Sequence, residues 1–146
     1  GIQFVSSELP DVIGGLIHLR YLGIADTSIW NIPDFISNLH FLQTLDASGN
    51  SNYFQGRTDL RNLTSLRHVI GRFVGELLIG DAVNLQTLRT ISSYSWSKLT
   101  KHELLKNLRD LEIYDYCRVV DQKRAPLDFS SFSKLTKLRV LKLEVK

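Results

Sequence analysis

A spacing of leucines, repeated six times, constrains this chain more than any other feature. Residues 15–45 state the rule: leucines at 16, 19 and 22 are followed by Ile24, and leucines at 39, 42 and 45 by Ala47. The same form returns as Leu63-Leu66-Val69-Gly71, Leu85-Leu88-Ile91-Ser93, Leu105-Leu108-Leu111-Ile113 and Leu135-Leu138-Leu141-Leu143. The third members are spaced 23, 24, 22, 20 and 30 residues apart. One block means little. Six in succession describe a stack.

Each block ends in a short extended run, and side chains in a strand alternate between two faces. Leu22 and Ile24 therefore point inward, and Tyr21, Gly23 and Ala25 outward. One such strand cannot bury its own apolar face, so each copy needs a neighbour. A unit of roughly 20–29 residues with the form L-x-x-L-x-L is the leucine-rich repeat. The expected fold class is α/β: a leucine-rich-repeat solenoid with a parallel β-sheet on its concave side. Its convex side is expected to hold irregular or short-helical returns.

The expected domain organisation is one repeat segment over residues 1–146, with about six repeats and a partial one before them. The chain has no Met and opens partway through a repeat, so it reads as a segment of a larger multidomain protein. Solenoids need capping repeats, so the segment is expected to self-associate or to be marginally stable. Apolar residues make up 43% of the chain, enough for a core. No window reaches the roughly 18 apolar residues of a membrane span. Net charge is +3, without a dense basic stripe among stacking aromatics. Neither nucleic acid nor membrane is expected as a partner. A single Cys117 excludes an internal disulfide framework and favours a reducing compartment.

Several local signals refine the returns. Leu9-Pro10-Asp11-Val12-Ile13 and Ile32-Pro33-Asp34-Phe35-Ile36 match, with proline suited to a turn or first helical position. A short helix is expected through Phe35, Ile36 and Leu39. Thr27 and Asn50 hold the turn out of the first two strands, where the repeat buries a polar side chain. Val74, Trp96 and Tyr116 stand at the later equivalents, so that polar turn is expected to be lost. Gly75 and Gly80 are expected to loosen the third return. Thr100 with Glu103 reads as a capping box before a helix through Leu104, Leu105 and Leu108. Residues 116–129 read as a solvated insertion. Asn62-Leu63-Thr64 is a formal glycosylation sequon.

No catalytic set stands out. His18, His40, His68 and His102 fall at unrelated repeat positions, none spaced with Cys117 for a metal. There is no G-x-x-x-x-G-K-[ST] phosphate loop. The chain is expected not to be an enzyme and to hold no cofactor or metal of its own.

Outward sheet positions are free of core duty and form three expected columns. They are Tyr21, Thr44, His68, Thr90, Asp110, Val140; then Gly23, Asp46, Ile70, Ser92, Glu112, Lys142; then Ala25, Ser48, Arg72, Tyr94, Tyr114, Glu144. Arg72 beside Tyr94 and Tyr114, with His68 and with Trp96 just beyond, has the composition of a protein-binding hot spot. The plainer alternative is that Trp96 and Tyr116 fill the space of the missing turn residue. The residue after each second leucine is Arg20, Gln43, Arg67, Arg89, Arg109 and Arg139. This column is either a solvated ladder or an edge that docks an acidic partner domain.

Residues 9–16, 19–29, 42–46 and 84–88 resemble the repeats of plant intracellular nucleotide-binding leucine-rich-repeat immune receptors of the coiled-coil class. Leu108-Arg-Asp-Leu-Glu-Ile113 and Leu138-Arg-Val-Leu-Lys-Leu143 fit as later repeats of the same kind. The resemblance implies a disease-resistance function: recognition of pathogen or pest effectors, directly or through a guarded host protein, and restraint of a nucleotide-binding switch domain. It implies a cytoplasmic protein, in some cases also nuclear, with ADP or ATP in a neighbouring domain. By the same carry-over Arg20, Arg67 and Arg89 are candidate intramolecular docking residues. Two alternatives stay open: the extracellular repeat domain of a plant receptor kinase, and the substrate-binding repeats of an F-box adaptor.

Overall fold

The computed structural model describes residues 8–25, 27–50, 52–99, 101–115 and 123–145. Six strands form one sheet: β1 Tyr21–Gly23, β2 Thr44–Asp46, β4 His68–Ile70, β6 Thr87–Ile91, β7 Asp110–Tyr114 and β8 Val140–Glu144. They lie side by side in chain order, and every neighbouring pair is parallel. This is the expected stack, in which each coil adds one strand. Leu22, Leu45, Val69, Leu88 and Leu111 stand opposite one another and are buried. Burial of each such side chain contributes roughly 1.5–3 kcal/mol.

The fourth coil departs from the expected phase. Leu88, not Ile91, pairs with Val69 and with Leu111. The block therefore begins at Ala82 rather than Leu85, three residues earlier. Leu85-x-x-Leu88-x-x-Ile91 satisfies the leucine spacing in either phase, so periodicity alone does not choose. Ile91 then pairs with Ile113 across a register shift. Two residues separate Leu88 from Ile91, but one separates Leu111 from Ile113. The extra residue is taken up as a β-bulge, with Thr90 at φ 66°. A β-branched residue in that left-handed region is uncommon and strained.

The polar turn is not lost in the later coils. Asn50 is buried and donates to Ile29 O at 2.8 Å. Thr27 donates to Ile24 O at 2.7 Å. In the fourth coil Ser95 takes over, donating to Phe73 O at 2.9 Å and to Gly75 O. In the fifth, buried Asp115 accepts from Ser93 N at 2.9 Å and Ser93 Oγ at 3.0 Å. Serine and aspartate are short enough to reach backbone groups that asparagine reaches from another position.

The returns are less helical than expected. Asp34–Asn38 is a 3₁₀ turn behind Pro33, matched by Asp11–Gly15 behind Pro10. His102–Leu104 is another, with Lys101 at its cap and no side-chain cap bond; Thr100 lies outside the described residues. The one α-helix among the described residues is unforeseen: α1, Ser93–Lys98, whose cap Ser92 accepts from Ser95 N. The second and third returns pair as β3 Thr58–Asp59 and β5 Leu77–Leu78, with Phe54 stacked on Phe73 at 4.9 Å. Gly75 tightens this packing rather than loosening it. A Cβ there would sit 2.2 Å from Gln55 O.

The stack is uncovered at both ends among the described residues. Leu16, expected in the core, is 47% exposed. β8 is exposed throughout, Leu141 and Leu143 included.

Candidate protein-recognition face

The outward face of the sheet carries the side chains that the fold itself does not consume. Strand pairing corrects two columns. The first runs Tyr21, Thr44, His68, Thr87, Asp110 and Val140, with Thr87 in place of Thr90. In the second, Arg89 rather than Ser92 pairs with Ile70. Arg89 therefore lies on the sheet face and not in the edge column, a direct result of the shifted fourth coil.

Neighbouring strands link their outward side chains. Arg89 Nε donates to Asp110 Oδ2 at 3.0 Å, and its Nη2 reaches the same oxygen. Tyr21 Oη donates to Asp46 Oδ2 at 3.1 Å. Burial alone would raise the Asp46 carboxyl, but bonds from Ser48 Oγ and N and from Tyr21 outweigh it, and the group titrates below its ordinary value. His68 Nδ1 lies 2.9 Å from Thr87 Oγ1. Burial, followed by the charge of Arg67, holds the His68 imidazole below its ordinary value.

At the bulge the face dips. Tyr53, Arg72, Thr90, Glu112 and Tyr114 line a shallow depression of 320 Å³. The Arg72 guanidinium carbon lies 5.4 Å from the Tyr53 ring centroid. Arg72 and Tyr114, both expected on this face, are thus brought together. Tyr53, Thr90 and Glu112 were not expected beside them. Tyr53 arrives from a return segment, which leucine periodicity cannot place. The depression offers two phenol rings, a guanidinium and a carboxylate on a half-buried surface, a set suited to protein contacts.

Two of the expected contact residues lie elsewhere. Helix α1 carries Tyr94 off the sheet, where the ammonium groups of Lys98 and Lys123 lie 5.3 and 5.2 Å from its ring centroid. Trp96, on the same helix, is only 2% exposed. It stacks between His102 at 4.3 Å and Phe132 at 5.5 Å, and its Nε1 donates to Ser131 Oγ at 3.0 Å. Trp96 is a core residue, so the hot-spot reading of it is corrected. Tyr116 and Cys117 lie outside the described residues. Among the described residues no group of three His, Cys, Asp or Glu side chains is placed to hold a metal.

The edge column is also re-registered. Gln43 N bonds to Arg20 O, Arg67 N to Gln43 O, Gln86 N to Arg67 O, Arg109 N to Gln86 O and Arg139 N to Arg109 O. The column is therefore Arg20, Gln43, Arg67, Gln86, Arg109 and Arg139. Arg20 and Arg67 keep their expected places, and Gln86 takes the one assigned to Arg89.

A family model described as a leucine-rich repeat region matches residues 5–146. Disease resistance RPP13-like protein 2 of Arabidopsis thaliana is 76% identical over 150 residues, covering 99% of this chain and 17% of that protein. RPP13-like protein 3 of the same plant is 71% identical over 97% of this chain and 16% of its own length. Disease resistance protein RPP13 is 56% identical over 97% and 17% respectively. The chain spans about one sixth of the length of these relatives.

Proposed function

This chain belongs to the leucine-rich repeat region family, and from that premise we propose that it is a non-catalytic recognition segment of a plant disease resistance receptor. In this reading it senses pathogen or pest effectors, directly or through a guarded host protein. It also restrains a nucleotide-binding switch domain in another part of the longer, cytoplasmic protein, where ADP or ATP would be held.

The single observation that carries the recognition reading is the depression at the bulge. Arg72, Tyr114 and Tyr53 converge there from three different coils, on the outward face of the sheet. Tyrosine and arginine supply large contact area with few rotatable bonds and directed hydrogen bonds. The likeness to resistance-protein repeats along nearly the whole chain supports a protein as the partner.

The test places Arg72→Ala with Tyr114→Ala in the longer receptor. Plants carrying it are challenged with pathogen isolates that the unaltered receptor resists. Loss of resistance at unchanged receptor level is expected. Full resistance would overturn the assignment of this face. Restraint is read separately: removal of residues 8–145 is expected to give a defence response without pathogen, and silence would overturn that part.

A further inference from the structure

The edge where the chain enters each strand carries a second surface, on the flank of the sheet. Six tight turns close there, by bonds from Leu19 N to Leu16 O, Leu42 N to Leu39 O, Leu66 N to Leu63 O, Leu85 N to Ala82 O, Leu108 N to Leu105 O and Leu138 N to Leu135 O. Their tips touch from coil to coil. His18 stacks on Phe41 at 5.7 Å. Asn84 Nδ2 donates to Thr64 O at 3.1 Å, Asn107 Nδ2 to Val83 O at 2.6 Å and Lys137 Nζ to Asn107 Oδ1 at 2.8 Å. The Arg20–Arg139 column runs alongside. The tips and the column thus make one continuous strip, on the order of 24 Å long for five steps between neighbouring strands.

The charge on this strip is of one sign. Two middle residues from each of six turns, with the six column residues, make eighteen positions, and none is Asp or Glu. Six are Arg or Lys: Arg20, Arg67, Lys106, Arg109, Lys137 and Arg139. All six are exposed. None has an ion pair among the described residues. Elsewhere two arginines are paired with carboxylates, Arg61 with Asp59 and Arg89 with Asp110. Exposed apolar tips sit among these cations: Ile17 at 53%, Phe41 at 50% and Val83 at 37%.

We propose that this strip docks the segment on an anionic lipid surface. A strip without carboxylates fits a partner that is negative everywhere, whereas protein surfaces carry both signs. Lipid headgroups and nucleic-acid backbones both meet that condition. Ile17 and Val83 favour lipid: aliphatic tips suit the headgroup boundary, as does the Phe41 ring. A single-stranded nucleic-acid site would present successive aromatic platforms for bases, and this strip has one exposed phenyl ring, stacked on His18. The expectation of no membrane partner rested on the absence of a spanning segment. Among the described residues no helix is long and apolar enough to cross a membrane, and surface docking needs none.

The test uses the 146-residue chain in sedimentation with vesicles, its fold verified by circular dichroism and self-association subtracted by a spin without vesicles. One set is phosphatidylcholine alone, and the other includes phosphatidylserine at about a third, a composition chosen for a strongly negative surface. Binding to the serine-containing vesicles only, weakening with salt, is the expected result. Arg67→Gln, Arg109→Gln and Arg139→Gln place in those rungs the residue already present at Gln43 and Gln86. Each is expected to weaken binding about fivefold, and the three together about a hundredfold. If the triple variant does not fold, the single variants decide. Phe41→Ser is expected to weaken vesicle binding at high salt while sparing binding to polyglutamate. Failure to sediment with phosphatidylserine, or equal binding by the arginine variants, overturns the proposal. So does tighter binding to polyglutamate or to single-stranded RNA than to vesicles, which would assign the strip to an acidic protein face or to nucleic acid.

Discussion

The Asn50 side-chain amide meets the Ile29 carbonyl at 2.8 Å, across the boundary between two coils. The same side chain accepts from Asn52 N at 3.0 Å and is itself buried. One residue therefore satisfies a part-buried N–H on its own coil and a buried carbonyl on the one before. Asn50→Ala leaves both groups unpaired. Stability is expected to fall by about 2–3 kcal/mol. The check is a lower urea midpoint at unchanged denaturant slope.

Thr90 is the residue that the bulge forces to positive φ. Glycine adopts that conformation without a Cβ clash. Thr90→Gly is expected to stabilise the chain by up to about 1 kcal/mol, because relief of roughly 1–2 kcal/mol of left-handed strain exceeds the roughly 0.4–1 kcal/mol of unfolded-state entropy that glycine adds, and the lost Thr90 Oγ1 bond is only to the adjacent Arg89 O at 2.7 Å. Thr90→Val keeps the strain and drops the bond, so it should destabilise. Thermal melts of the two variants should move in opposite directions.

Trp96 ties helix α1 to the turns that follow it. Trp96→Ala removes both ring stacks and leaves a cavity, for an expected loss of about 3–5 kcal/mol. Trp96→Phe keeps much of the stacking and loses the bond to Ser131, for an expected loss of about 1–2 kcal/mol. Equilibrium unfolding checks both. A near-neutral Trp96→Ala would contradict the buried placement.

His68 gives stability a pH dependence of known sign. Its folded pKa lies below the ordinary 6.5, first through burial and then through Arg67. The unfolded chain therefore takes up the proton first as pH falls. The contribution is complete above about pH 6.5 and is lost as pH falls through the folded value. His68→Gln should flatten this part of the profile. Arg67→Gln should move the imidazole titration upward, read by NMR of the ring protons.

Much of the fold is legible in the sequence. Leu22, Leu45, Val69 and Leu111 are core positions by spacing alone, and all are buried. Neighbouring coils meet in chain order, so a local pattern suffices to order the strands. The recognition face is legible in part. Arg72 and Tyr114 lie on it as expected, but Tyr53 comes from a return that has no period. Tyr94 and Trp96 leave it because Ser92 caps a helix where the pattern continued a strand. Ser95 and Asp115 restore a buried polar turn that a search for asparagine at one fixed position overlooks.

Leucine spacing alone dictates that this chain stacks parallel strands over a leucine core, because an apolar face that recurs once per coil can be buried only against its neighbours. It also leaves the outward face free of core packing. The phase of the fourth coil is set by packing between coils. Leu85, Leu88 and Ile91 are spaced alike, so their own order is neutral between two registers, and Val69 and Leu111 on either side select Leu88. The surplus residue then becomes the strained Thr90. That one choice puts Arg89 against Asp110 on the sheet face and Gln86 in the flanking row.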